Sequence, residues 1–234
     1  ARNVFDRMKG YDVISWNAMI STYGQHGLRN DALRLFNLME TNCISPDRAT
    51  FVCLLDACAS NENNDGGEWI HGLIQGSNLE KDLIVATALV DMYAKCGSLT
   101  EARAAIDKAS VRDIALWNVI TTAYAEHGHG VEAMKCFERM QLEGIRPNST
   151  TFICIIKACV FLGSTEKCME IHYEVEKRGL LVRELAVANC LVNTYCKIGC
   201  LSKAQDVFNK LPVRDVVTWT TLITGYTEGM GGDE

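Results

Sequence analysis

Long apolar runs are missing from this chain of 234 residues. No stretch approaches the roughly 18 residues that a membrane-spanning helix requires, and no apolar segment with a basic flank opens the chain as a secretory leader would. No membrane contact is therefore expected. Proline is scarce, at 3 residues, and aromatics make up 8%, which argues against a sandwich or barrel of short strands and for helices divided by short polar breaks. Positive charge is not in excess either. The 23 Lys and Arg against 29 Asp and Glu leave a net −6, which disfavours a general polyanion-binding surface, because non-specific nucleic-acid affinity comes from cations neutralising phosphates. The 11 cysteines contain no Cys-x-x-Cys pair, so zinc finds no chelating spacing and neither metal nor cofactor is expected. Their odd number, and positions such as Cys58 and Cys159 inside apolar helical patterns, point to small buried hydrophobes in a reducing compartment rather than to a disulfide framework. What the chain does have is 48% hydrophobic and 22% charged residues, a composition that buries a continuous core and excludes disorder.

An internal repeat organises that core. Val13-Ile-Ser-Trp16-Asn17 recurs as Ile114-Ala-Leu-Trp117-Asn118 and as Val216-Val-Thr-Trp219-Thr220, at offsets of 101 and 102. Within this long period Thr50-Phe51-Val-Cys53 matches Thr151-Phe152-Ile-Cys154, and Val90-Asp-Met-Tyr93-Ala-Lys95-Cys-Gly97 matches Val192-Asn-Thr-Tyr195-Cys-Lys197-Ile-Gly199. Each period thus holds three units, and the whole chain, 1–234, reads as a single repeat array. A partial unit at 1–12, in which Ala1-Arg-Asn-Val-Phe5 aligns with Ala204-Gln-Asp-Val-Phe208, precedes units 13–47, 48–82, 83–113, 114–148, 149–184 and 185–215, and a partial unit at 216–234 follows. Units of 31 to 36 residues, each with two apolar periodic stretches divided by a glycine, predict antiparallel helix pairs that bury their faces only by stacking.

The shared positions make packing sense. The eleventh is Tyr23, Tyr93, Tyr124, Tyr195 and Tyr226, or Cys58 and Cys159, and is expected in the core. The fifteenth is Gly27, Gly97, Gly128, Gly163 and Gly199, where a left-handed residue ends the first helix; Glu62 and Met230 break this rule. The twentieth is always small, from Ala32, Gly67 and Ala102 to Ala133, Cys168 and Ala204, so that neighbouring helices approach closely. Ser98-Leu-Thr-Glu101 reads as a capping box opening a second helix.

These residues resemble the plant-type pentatricopeptide repeat proteins, in the subclass that alternates normal, long and short repeats (PLS class). The resemblance rests on Trp16-Asn-Ala-Met-Ile20, Asp91-Met-Tyr-Ala-Lys-Cys-Gly-Ser98, Ala32-Leu-Arg-Leu-Phe36 and Ile145-Arg-Pro147, and on unequal repeat lengths in fixed order. A tetratricopeptide array would keep about 34 residues throughout. The fold it implies is all-α, a right-handed α-solenoid. The function it implies is sequence-specific binding of single-stranded RNA in mitochondria or chloroplasts, in the service of RNA editing or mRNA processing and in company with editing or processing factors. The alternative reading is a helical-repeat scaffold that takes a peptide in its groove, which needs no polar pairing between repeats.

No catalytic set emerges from the residues. His172-Tyr-Glu174 matches half of a zinc-deaminase signature, but Pro-Cys-x-x-Cys is absent downstream. His172 is also the repeat equivalent of His71 and fills the slot of Phe36, which marks both as packed helical histidines. His26 and His127 are equivalents beside turn glycines. No enzyme is expected in this chain, and any deaminase would lie in a C-terminal extension or in a partner.

Trp16, Trp117 and Trp219 suggest base stacking, yet their apolar neighbours at helical spacing favour core packing. The polar positions beside them carry more information. The fifth position holds Asn17, Thr87, Asn118, Asn189 and Thr220, and the closing position holds Asp47, Asp113, Asn148 and Asp215. Helix capping accounts for the closing residues, but not for a short amide or hydroxyl at every such fifth position. Base edges account for both, since Asn and Thr donate and accept while Asp accepts. The resemblance further assigns the second position, Ile14, Ile84 and Val217, to sandwiching bases, with the smaller Ala115 and Ala186 in the same slot. Val52 and Ile153 cannot hydrogen-bond and are expected to space rather than read, and Lys95 and Lys197 are candidate phosphate contacts. The rule carried by the family gives U for Asn with Asp, G for Thr with Asp, and a pyrimidine for Asn with Asn. The implied site, in the direction of the chain, is U, any, G, pyrimidine, any, U, purine.

Overall fold

Short apolar stretches with a stripe of helical period, closed by left-handed glycines, build helices of similar length. The computed structural model describes residues 12–59, 65–77 and 79–230, leaving out the side chains of 229 and 230. The described residues form fourteen α-helices and no strand: α1 (Val13–Gln25), α2 (Arg29–Thr41), α3 (Arg48–Ala59), α4 (Asp65–Gln75), α5 (Leu83–Lys95), α6 (Leu99–Lys108), α7 (Ile114–Glu126), α8 (Gly130–Leu142), α9 (Ser149–Leu162), α10 (Thr165–Lys177), the one-turn α11 (Leu180–Arg183), α12 (Leu185–Lys197), α13 (Leu201–Lys210) and α14 (Val216–Met230). The partial unit at residues 1–11 and the irregular position Glu62 lie outside the described residues.

The chain divides between Ile120 and Thr121 into two compact units. In the first, α1 packs on α3 and α3 on α5, while α2, α4 and α6 each pair with the helix that precedes them. In the second, α9 packs on α12 and α12 on α14, with α8 against α9, α10 against α9 and α13 against α12. Within each unit the first helices of the pairs thus form one layer and the second helices the other, the arrangement expected when no pair buries its face alone. Connections of three residues after α1, α5, α7 and α12, and of two after α9, make these pairs antiparallel.

A recurring hydrogen bond explains how the first helix of a pair stops. The amide of the residue just before the second helix reaches back to the carbonyl of the position-eleven tyrosine: Leu28 to Tyr23 at 2.9 Å, Ser98 to Tyr93 at 2.9 Å, His129 to Tyr124 at 2.8 Å and Cys200 to Tyr195 at 2.8 Å. This closure needs a left-handed residue just before it, and Gly27, Gly97, Gly128 and Gly199 supply φ of 70°, 76°, 79° and 77°. The second helices end the same way at Gly144 and Gly179, but their equivalent in the first repeat is Cys43 at φ 57°. Cys43 is exposed, unlike the buried Cys58, Cys136, Cys154, Cys159 and Cys168, so the reading of the cysteines as buried hydrophobes fails at this residue.

The small position twenty does what its size suggests: Ala32, Ala102, Ala133, Cys168 and Ala204 have no exposed surface. In the first unit Trp16, Met19 and Met39 form a cluster closed by Val13, Tyr23, Leu35 and Ile44. Phe36 meets Phe51 and Trp69 with ring centroids 6.1 and 5.7 Å apart. In the second unit Phe137 and Phe152 meet edge to face at 5.8 Å. Trp16 and Trp117 are core residues as expected, but Trp219 is half exposed, its one face against Phe208, because no second helix follows α14 among the described residues. The expected capping box at Ser98 does not form. Its backbone N–H, which Glu101 would have to accept, is already donated to Tyr93, and Glu101 instead accepts from the Thr100 hydroxyl. Reciprocal capping does form between Asn148 and Thr151 at the start of α9, and between Asp47 and Thr50 and between Asp215 and Thr218 at the starts of α3 and α14.

Candidate nucleic-acid interface

The closing residue of one repeat is the N-cap of the next first helix, and this places it beside the fifth position of the repeat before. In the first unit the Asn17 amide donates from Nδ2 to Oδ1 of Asp47 at 3.0 Å, while Thr50 Oγ1 lies 2.7 Å from Asn17 Oδ1. The same three-residue set recurs in the second unit, where Asn189 Nδ2 donates to Asp215 Oδ1 at 3.4 Å and Thr218 Oγ1 lies 2.7 Å from Asn189 Oδ1. Both asparagines sit half-buried in the first turn of their helices, whereas Thr50 and Thr218 are fully buried. Each amide is left with one further N–H and one further lone pair for an outside partner.

The carboxylates are held ionised. Burial alone would push the Asp47 carboxyl up, but hydrogen bonds from the Thr50 N–H and the Asn17 amide act against it, and the group is held below its ordinary value. The Thr218 hydroxyl and N–H do the same for Asp215, with the Asn189 amide adding to them. A carboxylate that stays charged accepts only, so it fixes which end of the amide faces it.

At Thr87 the arrangement differs. Its hydroxyl donates to the Leu83 carbonyl at 2.8 Å, one turn back in the same helix, and Thr220 likewise donates to Val216 at 2.8 Å. With the proton spent on the backbone, each oxygen offers acceptor capacity outward. Asp113 caps α7 through the Leu116 N–H at 2.9 Å, and Asn148 caps α9 through Thr151 at 3.0 Å. Asn118 lies half-buried in the first turn of α7.

The second-position residues are apolar and face solvent: Ile14 is 73% exposed, Ile84 51% and Val217 55%, against 1% for Trp16 two positions on. Ala115 and Ala186 are exposed as well, whereas Val52 and Ile153 are half-buried. Lys95 is paired with Asp91 at 2.6 Å within α5, and that hydrogen bond raises its pKa. The equivalent of Asp91 beside Lys197 is Asn193, which forms no ion pair. A groove of about 210 Å³ brings Lys197 together with Thr220, Asn193 and Glu228.

Two sets of residues escaped the sequence reading. Arg112 donates to the Ile106 and Asp107 carbonyls at 2.9 and 3.1 Å, and Arg214 to those of Phe208 and Asn209 at 2.9 and 3.0 Å. Each ties down the end of a short second helix immediately before a closing aspartate. The signal was the repeated Val-Arg-Asp at 111–113 and 213–215. The buried threonines Thr50, Thr151 and Thr218 were visible only as shared third positions. The histidines are structural in their contacts: His71 and His172 bond the Tyr93 and Tyr195 hydroxyls at 2.8 and 3.1 Å, and His26 and His127 bond carbonyls of their own helices at 2.7 and 2.8 Å. Among the described residues no group of His, Cys, Asp and Glu is placed to hold a metal ion, and no helix is long and apolar enough to cross a membrane.

Comparison with known proteins agrees with this architecture. The profile described as PPR repeat family matches residues 11–60 and 112–160, and that described as PPR repeat matches 150–180 and 187–216. A chloroplastic pentatricopeptide repeat-containing protein of Arabidopsis thaliana is 35% identical over 217 residues, 93% of this chain and 27% of the relative. A mitochondrial one from the same plant is 36% identical over 211 residues, 90% of this chain and 23% of the relative. The chain thus spans about a quarter of the length of these relatives. Among solved structures, the pentatricopeptide repeat protein PPR10 from maize superposes with a TM-score of 0.55 at 17% identity, over 98% of this chain and 39% of that one. PPR10 in complex with an 18-nt psaJ RNA element gives 0.54 at 17% identity, over 94% and 38%. With matched segments over more than half of its length and the same helix-pair solenoid fold, the chain belongs to the PPR repeat family.

Proposed function

We propose that this chain binds a specific single-stranded RNA by presenting one side-chain pair per reading repeat, with no catalysis of its own. The observation that carries the reading is the Asn17 amide held against the Asp47 carboxylate, repeated at Asn189 and Asp215. Each leaves a donor and an acceptor side by side, which is what the edge of an unpaired base complements. The exposed Ile14, Ile84 and Val217 supply apolar surface for the faces of such bases, and PPR10 is solved with RNA. In this reading Asn17 with Asp47 and Asn189 with Asp215 select U, and Asn118 with Asn148 selects a pyrimidine. Thr87 with Asp113 offers acceptors only, which match the N1–H and N2–H donors of guanine. Thr220 favours a purine, Val52 and Ile153 leave one base free each, and Lys197 contacts phosphate more readily than the paired Lys95.

The repeat boundaries 13–47, 48–82, 83–113, 114–148, 149–184 and 185–215 belong to the same proposal, as does the subclass with alternating repeats. The second helices α6 and α13 have 10 residues where α2, α8 and α10 have 13, which supports short repeats at 83–113 and 185–215. The cellular role is RNA editing or processing in a chloroplast or mitochondrion, the locations carried in the names of two relatives, with the chemistry supplied outside this chain. Thr87→Asn tests the reading. It converts the G pair into a U pair, and exchanging one matched edge changes affinity about ten-fold, a difference of ~1–2 kcal/mol. Fluorescence anisotropy with RNAs differing only at the third base should show preference passing from G to U; a variant that still prefers G refutes the assignment.

A further inference from the structure

The threonine that touches the reading asparagine is more than part of a helix cap. After the closing residues that follow Asn17, Asn118 and Asn189, the third position holds Thr50, Thr151 and Thr218, whereas after Thr87 it holds Leu116, after Val52 Val85 and after Ile153 Val187. Capping does not require the hydroxyl, because Asp113 caps through the Leu116 N–H at 2.9 Å and Asp82 through the Val85 N–H at 3.2 Å. The hydroxyl occurs where the residue to be oriented is an asparagine.

The geometry gives the reason. Thr50 Oγ1 accepts the Asp47 N–H at 3.1 Å, so its single proton points away from that contact. The nearest acceptor is Asn17 Oδ1 at 2.7 Å; Asp47 Oδ1, at 2.9 Å, already receives the Thr50 N–H at 2.8 Å and the Asn17 amide at 3.0 Å. Two oxygens at 2.7 Å with no proton between them would repel. The carboxylate therefore draws the NH2 end of Asn17 and the hydroxyl holds its C=O end, and both enforce one polarity of the amide. Thr218 stands in a comparable relation to Asn189: its Oγ1, to which Asp215 N–H donates at 3.3 Å, lies 2.7 Å from Asn189 Oδ1 and also 2.7 Å from Asp215 Oδ1, so its one proton is shared between the amide and the carboxylate.

Amide polarity distinguishes the pyrimidines. Uracil presents a donor at N3 and an acceptor at position 4, and cytosine presents the reverse, so an amide locked one way round matches the first and opposes the second. We infer that Thr50 and Thr218 are positioning residues that lock the Asn17 and Asn189 amides and thereby set U over C at the first and sixth bases. This rests on the base reading proposed above.

The test is binding of the 234-residue chain to single strands carrying UAGUAUA, and the same strands with C at the first or sixth base, measured by fluorescence anisotropy for the parent, T50V, T50S and T218V. Valine keeps the shape and removes the hydroxyl. T50V is expected to lower the U-to-C affinity ratio at the first base at least three-fold and leave the sixth unchanged; T218V is expected to do the opposite, and T50S to retain the parent ratio. Equal loss of affinity for U and C, or an unchanged ratio in a variant with parental helicity, overturns the inference. If T50V loses its helicity, T218V at the sixth base decides. A parent with no preference for U over C at either base refutes the base reading itself, a result distinct from failure of the threonine role.

Discussion

Single residues carry two kinds of constraint here, conformational and chemical, and Cys43 shows the first in isolation. It sits at φ 57° where the equivalent repeats use Gly144 and Gly179, and a side chain in that region crowds the following carbonyl. Cys43→Gly is expected to stabilise the chain by about 1 kcal/mol, since the strain relieved exceeds the chain entropy that glycine adds; urea titration of the two proteins measures it. The chemical constraint is the charged state of the closing carboxylates. Asp47 and Asp215 are both held below the ordinary carboxylate value, so the stability they lend is present above that value and is lost only as pH falls below it. Base discrimination by Asn17 and Asn189 should therefore stay constant between pH 8 and 6, which anisotropy at fixed salt checks.

Elements are closed by contacts that the residue pattern describes unevenly. Ser98 has a capping-box spacing but no side-chain cap, whereas Asn148 and Thr151 cap α9 reciprocally. Ser98→Ala should change stability by less than about 0.5 kcal/mol, and Asn148→Ala should cost about 1 kcal/mol, in chemical denaturation of each variant. The second helices α4 and α10 each place a histidine against a tyrosine of the neighbouring first helix, with ring centroids 5.6 and 5.7 Å apart. Burial holds both imidazoles below their ordinary value. An imidazole near 6.5 in the unfolded chain takes up a proton on acidification that the folded chain resists, so the stability is complete above that pH and falls as pH drops through it. The urea midpoint should decline from pH 7.5 to 5.5, and a His71→Gln, His172→Gln double variant should decline less.

At the scale of the whole molecule, stability is a sum over repeats and their neighbours rather than the property of one core. Urea unfolding followed by tryptophan fluorescence and by far-ultraviolet circular dichroism should give transitions that do not coincide, because Trp16, Trp117 and Trp219 lie in different repeats. Charge acts at the same scale. With a net −6, and with Lys95 already paired with Asp91, few cations are available for phosphates. The logarithm of RNA affinity should fall with the logarithm of salt concentration at a slope equivalent to a few phosphates; a slope equivalent to ten or more would show a basic face that the ion pairs described above do not leave.

Helix pairing was legible in the residues because it depends on local period and on punctuation: apolar stripes recur every three to four residues, and Gly27, Gly97, Gly128, Gly163 and Gly199 stand where only a left-handed residue ends the helix. The recurrence of polar residues at the fifth and closing positions was legible for a related reason, since a polar residue repeated at one place in an apolar turn calls for a partner, and Asn17 with Asp47 and Asn189 with Asp215 do meet. What the sequence could not contain is contact between residues far apart in the chain. That Thr50 reaches Asn17 across 33 positions, that Asn189 meets Thr218 across 29, and that Lys210 reaches Glu176 across 34 were decided only when helices stacked. A hydrogen-bonding group has a limited number of protons and lone pairs, and which partner claims them depends on distances that the tertiary structure alone sets.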